Sequence, residues 1–177
     1  MMLEHDQPAC TISISQEAFI DTLLQRFGLI NANPITTPLL PGLCLSSSDS
    51  LAPDQQCAEM ASKPHHKLIG ALQWLALGTC PDIAFAATSL THFGHDPGLT
   101  HWDMARHVLH YLKGMKRMHL MLGGTTASIS GYTDADWGSD QDDCHSIGAY
   151  VFKIGSSSIS WKSKKQSCVT LSSTEAE

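Results

Sequence analysis

The sequence predicts an α+β chain: a helical half, followed by a β-rich half that opens a sheet without completing it. Three observations predict this. From Gln16 to Gly114 the apolar residues recur mostly at helical spacing. After the Gly123–Gly124 pair they alternate with a period of two. The β-rich part then supplies three strands and the start of one helix, and an open three-stranded sheet so covered leaves one face bare.

The elements follow in order. "CTISIS" (10–15) alternates Ile12 and Ile14 with polar residues, which predicts a short strand. Ser15 is placed to cap a helix through "QEAFIDTLLQRFG", where Phe19, Ile20, Leu23, Leu24 and Phe27 share a face and Gly28 stops it. Residues 31–63 carry Pro34, Pro38, Pro41 and Pro53 with an "SSSDS" run, too long for an ordinary loop, and read as a linker or a strap across a partner surface. Three helices are predicted next, at 65–78, at 81–93 with Pro81 in the first turn, and at 100–114 with Thr100 and Asp103 at capping-box spacing. Met104, Val108, Leu109 and Leu112 form the buried face of the last, with Arg106, His107, His110 and Lys113 elsewhere on its surface. The strands are "ASISGYTDADW", "SIGAYVFKIG" and "SSSISWKS", the last two joined by a turn at Gly155. "SCVTLSSTEAE" reads as a short strand entering a helix, with Ser172–Glu175 and Thr174–Glu177 both at capping-box spacing.

Composition narrows the function classes. With 42% hydrophobic and 16% charged residues the chain is globular rather than disordered. The net charge of -6 weighs against a basic nucleic-acid-binding domain, yet eight of the eleven Lys and Arg residues lie from Arg106 onward. The six cysteines lack metal or redox spacing and read as reduced thiols, the N-terminus lacks a signal-peptide pattern, and no apolar run reaches spanning length. The expected setting is intracellular, cytoplasmic or nuclear, away from membranes.

The chemistry centres on "YTDADWGSDQDD" (132–143), which holds Asp134, Asp136, Asp140, Asp142 and Asp143. A calcium loop counted from Asp134 fails at its fifth, sixth and twelfth positions, which are Gly138, Ser139 and His145. A magnesium site for phosphoryl chemistry instead needs carboxylates converging from different elements. Asp134 and Asp136 point to the same side of a strand, and Glu177 on the following helix is a second source. The same spacings also suit solvated loop acids and a helix-cap partner. His92/His95 and His107/His110 have i,i+3 spacing but no matching Cys or carboxylate pattern for zinc. "MARHVLHYLKGMKR" and "WKSKKQ" interleave basic and aromatic residues, as nucleic-acid surfaces do and as ordinary solvated faces also do.

The ordered set "HHKLIGALQWLALGTCPDIAFA", "HWDMARHVLHYLKG", "GYTDADWGSD", "SISWKSKKQ" and "LSSTEAE" resembles the C-terminal part of a copia-type long-terminal-repeat retrotransposon Pol polyprotein, from about Ile12 onward. The resemblance implies three parts: 1–63, a strand, a helix and a Pro/Ser-rich connection; 64–122, a helical segment like the reverse transcriptase thumb and connection; and 123–177, the opening of a ribonuclease H-like domain with a mixed sheet. It implies that Asp134 and Glu177 are catalytic carboxylates that bind Mg²⁺ and hydrolyse RNA in RNA–DNA hybrids. It implies the rest of the polyprotein as a partner; the two basic stretches make Arg106, Lys113, Lys116, Arg117, Lys162, Lys164 and Lys165 the candidate contacts to nucleic acid. The polymerase aspartates and two later ribonuclease H aspartates are not among these residues, so the expectation is negligible catalysis by this chain alone. The alternative is a non-catalytic nucleic-acid-binding or interaction module retained from a transposon.

The chain departs from the family pattern at Cys80, His110, Cys144 and His145, where Arg is usual, and at Met115 and Ile147, where Thr is usual. Each such change can arise by one C-to-T change on one DNA strand or the other, a pattern that reads as decay of an element copy, and loss of the Arg residues removes phosphate contacts.

Overall fold

The chain opens with a hairpin that its sequence does not announce. β1 (Met2–Asp6) is exposed throughout, so it lacks the in–out alternation that marks a strand, yet it pairs antiparallel with β2 (Thr11–Ser15). The computed structural model describes residues 1–50, 59–124 and 128–177. Residues 51–58 of the connection, Pro53 among them, and Ala127 at the head of a predicted strand lie outside these.

α1 (Glu17–Arg26) buries Ile20, Leu23 and Leu24. Ser15 Oγ accepts a hydrogen bond from the Glu17 amide at its start. At its end Gly28 takes φ +68, the Gly28 amide donates to the Gln25 carbonyl and the Leu29 amide to the Leu24 carbonyl, a glycine-dependent helix stop. The bundle continues with α2 (His65–Gly78), a 3₁₀ turn at Pro81–Ile83, α3 (Ala84–His92) and α4 (Leu99–Met115). Leu68, Leu72, Leu75, Ile83, Leu90 and Leu109 are fully excluded from solvent where these helices meet. Burying each such side chain stabilises the fold by roughly 1.5–3 kcal/mol.

The start of α4 differs from the expectation. Thr100 does not cap it; the helix begins at Leu99, and the Gly98 amide donates to Nδ1 of the buried His101, 2.9 Å away. A buried imidazole thus takes the third-position role that Glu or Gln usually has. Met104 is only half-buried, while Trp102, Ala105 and Tyr111 join the buried face.

The connection after α1 is a strap, and it lies across the chain's own helix α4. Lys113 Nζ donates to the Ile30 and Ala32 carbonyls, His110 Nδ1 contacts the Asn33 carbonyl and His107 Nε2 the Thr37 carbonyl. Ala32, Ile35, Leu39 and Leu45 pack against the core. The strap then turns through a short 3₁₀ segment, Ser47–Asp49, capped by Ser46.

β3 (Leu120–Gly123) follows α4 and joins the N-terminal hairpin in the order β1–β2–β3, with Ile12 opposite Leu122. A four-residue apolar run after a helix reads as the helix's tail until its partner is known. The second sheet is β4 (Ile129–Asp136), β5 (Ile147–Ile154) and β6 (Ser157–Lys165), in that order. Both sheets pair antiparallel throughout, so the described strands do not display the mixed character that the resemblance implies. Gly155, at φ +58, lets β5 turn into β6 through two residues. The sheet meets the bundle at Trp161, whose Nε1–H donates to the Ala76 carbonyl at 2.7 Å, and at Thr88, whose hydroxyl donates to the Ser163 carbonyl.

No strand forms at 168–171; α5 (Ser173–Ala176) follows a bend. Ser172 Oγ accepts from the Glu175 amide, and Glu175 reaches the Leu171 amide rather than that of Ser172. Thr174 and Glu177 form no cap. The molecule is therefore α+β, and among the described residues no helix is long and apolar enough to cross a membrane.

Candidate functional site

The five aspartates of 132–143 have different surroundings. Asp134 sits in mid-β4 opposite Ala149, exposed, with Oδ1 accepting only from the adjacent Ala135 amide at 3.0 Å. Asp136, opposite Ile147, lines a 110 Å³ cavity with Ser89, His92 and Asp140, between α3 and the strap.

The other three lie in the loop after β4: Asp142 and Asp143 are exposed, as expected of solvated loop residues, but Asp140 is not, and all three have partners. The Asp140 side chain is only 8% exposed and accepts from Lys165 Nζ at 2.5 Å. Asp143 Oδ2 takes the same ammonium at 2.7 Å, and its Oδ1 lies 2.9 Å from His145 Nδ1. Burial opposes the charges of both Asp143 and Lys165, but their hydrogen bonds prevail: the carboxyl is held well below the usual range and the ammonium is raised. Asp142 accepts from Ser46 Oγ, Ser47 Oγ and the Ser47 amide, each at 2.8 Å. These bonds hold its pKa low and tie the loop after β4 to the strap.

The predicted basic residues divide the same way. Lys165 is held by two carboxylates, Lys113 by strap carbonyls, and Lys116 by Asp21 at 2.8 Å with Glu17 at 3.9 Å. Arg106, Arg117, Lys162 and Lys164 make no ion pair among the described residues. Register sets Lys162 beside Tyr150 and Lys164 beside Gly148 on one sheet face, where they line a shallow 390 Å³ recess. Tyr150 and Phe152, with ring centres 5.4 Å apart, were legible as alternate positions of one strand but were not singled out from the sequence.

Mg²⁺ takes oxygen ligands in a near-ideal octahedron. Asp134 and Glu177 are donors of the right kind, and α5 packs against β4. Asp134 shares a face with Ala149 and Ser163, whereas Gln166, whose amide lies against Gly148 on the other face, donates to the Ala176 carbonyl. Among the described residues no three His, Cys, Asp or Glu side chains form a set suited to a metal. The residues present do not by themselves fit the ion, and no hydrolytic step is derived through it.

No family model matches the chain. No solved structure matches it either. Long relatives do. The chain is 37% identical over all 177 residues to the retrovirus-related Pol polyprotein from transposon TNT 1-94 of Nicotiana tabacum. It is 38% identical over 169 residues, 94% of the chain, to that from transposon RE1 of Arabidopsis thaliana. The secreted RxLR effector protein 161 of Plasmopara viticola is 40% identical over 119 residues, which is 67% of this chain and 84% of that protein. The two long relatives are transposon polyproteins. The chain belongs to the copia-type retrovirus-related Pol polyproteins, and it spans 13% and 11% of the length of these two.

Proposed function

We propose that this segment joins the reverse transcriptase and ribonuclease H parts of a copia-type Pol polyprotein. Its parts are 1–63, 64–122 and 123–177, and Asp134 and Glu177 supply carboxylates for Mg²⁺-dependent cleavage of RNA in RNA–DNA hybrids. One observation carries the reading: the match to a Pol polyprotein runs the full length of the chain, and Asp134 falls in the middle of the strand that opens the second sheet. Two carboxylates are fewer than a two-ion site requires, so the remaining ligands belong to other parts of the polyprotein. The test uses a labelled RNA–DNA hybrid. The longer polyprotein cleaves it with Mg²⁺, and Asp134→Asn or Glu177→Gln abolishes cleavage; these 177 residues alone do not cleave. Cleavage unchanged in both variants overturns the assignment.

A second reading, a nucleic-acid-binding module without catalysis, is favoured by Tyr150, Lys162 and Lys164 on one open face. It predicts salt-sensitive binding of the hybrid by this chain, weakened by the Lys162→Ala/Lys164→Ala pair. Absence of binding at low salt removes it.

A further inference from the structure

The cap of α4 is an imidazole, and it stands in a chain of contacts linking the helical half to the second sheet. His101 is fully buried, and its Nδ1 accepts the Gly98 amide proton at 2.9 Å. A backbone amide can only donate, so this nitrogen must carry a free lone pair and the ring must be neutral. Protonation would turn Nδ1 into a donor facing a donor. It would also place a positive charge in the first turn of a helix, where the exposed amide ends already carry partial positive charge.

Gly98 in turn touches the strap. A side chain there would meet the Asp49 carbonyl oxygen at 1.8 Å, so the two backbones are in close contact and only glycine fits. Beside them Ser50 Oγ donates to the Asp96 carbonyl at 2.7 Å. One turn earlier, Ser46 and Ser47 hold Asp142 of the loop after β4 through three hydrogen bonds. The contacts run from His101 through Gly98 and Ser46–Ser50 to Asp142.

We propose that His101 is a proton-operated clasp: with the ring neutral it seats the Ser46–Ser50 segment against α4 and Asp142 against that segment, and protonation of the ring releases both. Groups of both signs face the ring. From the strap, Asp49 and the Ser46 carbonyl favour the charged form, as do Asp96 before α4 and Asp142. From α2 the neighbouring His65 opposes it, and Phe93 stacks on the ring at 4.1 Å. Nε2 carries the neutral ring's one proton and meets no hydrogen-bond acceptor among the described residues, so a second proton has only Nδ1 to occupy. Burial dominates and keeps the ring neutral below the ordinary histidine range, so release falls on the acid side of pH 6.5.

The test is amide hydrogen exchange of the full chain, with the Ser47 and Gly98 amides as reporters and rates corrected for intrinsic pH dependence. Protection of both is expected to fall on the order of tenfold between pH 7.5 and pH 5. In His101→Gln the amide oxygen still caps Gly98 and does not titrate, so protection should hold across that range. Asp142→Asn should expose Ser47 at pH 7.5 while leaving Gly98 protected. Nitrogen-15 shifts of the His101 ring in the unaltered chain supply a readout independent of any variant: loss of the Nδ1 acceptor signal must coincide with loss of Ser47 protection. The proposal is overturned if protection persists to pH 5, if His101→Gln loses it over the same range, or if ring protonation and Ser47 exposure occur at different pH.

Discussion

The helical half and the second sheet bury their apolar residues very differently. Leu68, Leu72, Leu75 and Leu109 are wholly shielded within the bundle. In the sheet only Ile147 among the large apolar residues is buried, while Ile129 is 76% exposed, Tyr132 64% and Phe152 42%. The bundle closes its own core, whereas the sheet is held by polar ties at its margins: Trp161 to Ala76, Thr88 to Ser163, Asp142 to Ser46 and Ser47. The candidate carboxylate Asp134 lies in the half that leans on the other.

That comparison can be broken by experiment, and the largest effect is expected in the bundle. Leu72→Ala removes a fully buried side chain and should cost about 3–4 kcal/mol, seen as a lower urea midpoint. An unchanged midpoint would mean the bundle is not the stable half.

The next effect is that of pH. His65 is buried, and desolvation, with repulsion from His101 and His66, pushes its pKa down to about 4. The unfolded chain protonates it near 6.5, so the unfolded state binds more protons between those values. Stability should therefore fall as pH drops from 6.5 to 4, by on the order of 3 kcal/mol. His65→Leu should flatten the profile in that window; an unaltered slope would assign the loss elsewhere.

Smaller changes should follow in the sheet. Lys165→Met leaves Asp140, with its side chain 8% exposed, without its cation. The melting temperature should fall by several degrees, which calorimetry would detect. Phe152→Ala, at a site 42% exposed, should change stability by less than about 1 kcal/mol. A loss as large as that of Leu72→Ala would show the sheet to have a core of its own.

The sequence made visible what local periodicity encodes. Helices α1, α2 and α4 and strands β4 to β6 follow from apolar spacing and from Gly28 and Gly155. Strands β1 and β3 do not, because each exists through pairing with β2, and β3 lies more than a hundred residues beyond it in the chain. The acidic stretch divides similarly. Asp134 on a strand was legible, but Asp140 and Asp142 were not, since their partners Lys165 and Ser46 lie 25 and 96 residues away. His101 as a cap was missed because an imidazole at that position resembles Glu or Gln only once it is seen accepting a backbone amide.

The account ultimately turns on Asp134 against its neighbour Asp136, two carboxylates on one strand in different settings. The decisive measurement is hybrid cleavage by the longer polyprotein carrying Asp134→Asn beside that carrying Asp136→Asn, at equal Mg²⁺. The account predicts loss of at least about a hundredfold for the first, comparable to removal of other essential catalytic groups, and near-normal activity for the second. Equal activity in both, or loss confined to Asp136→Asn, would contradict it.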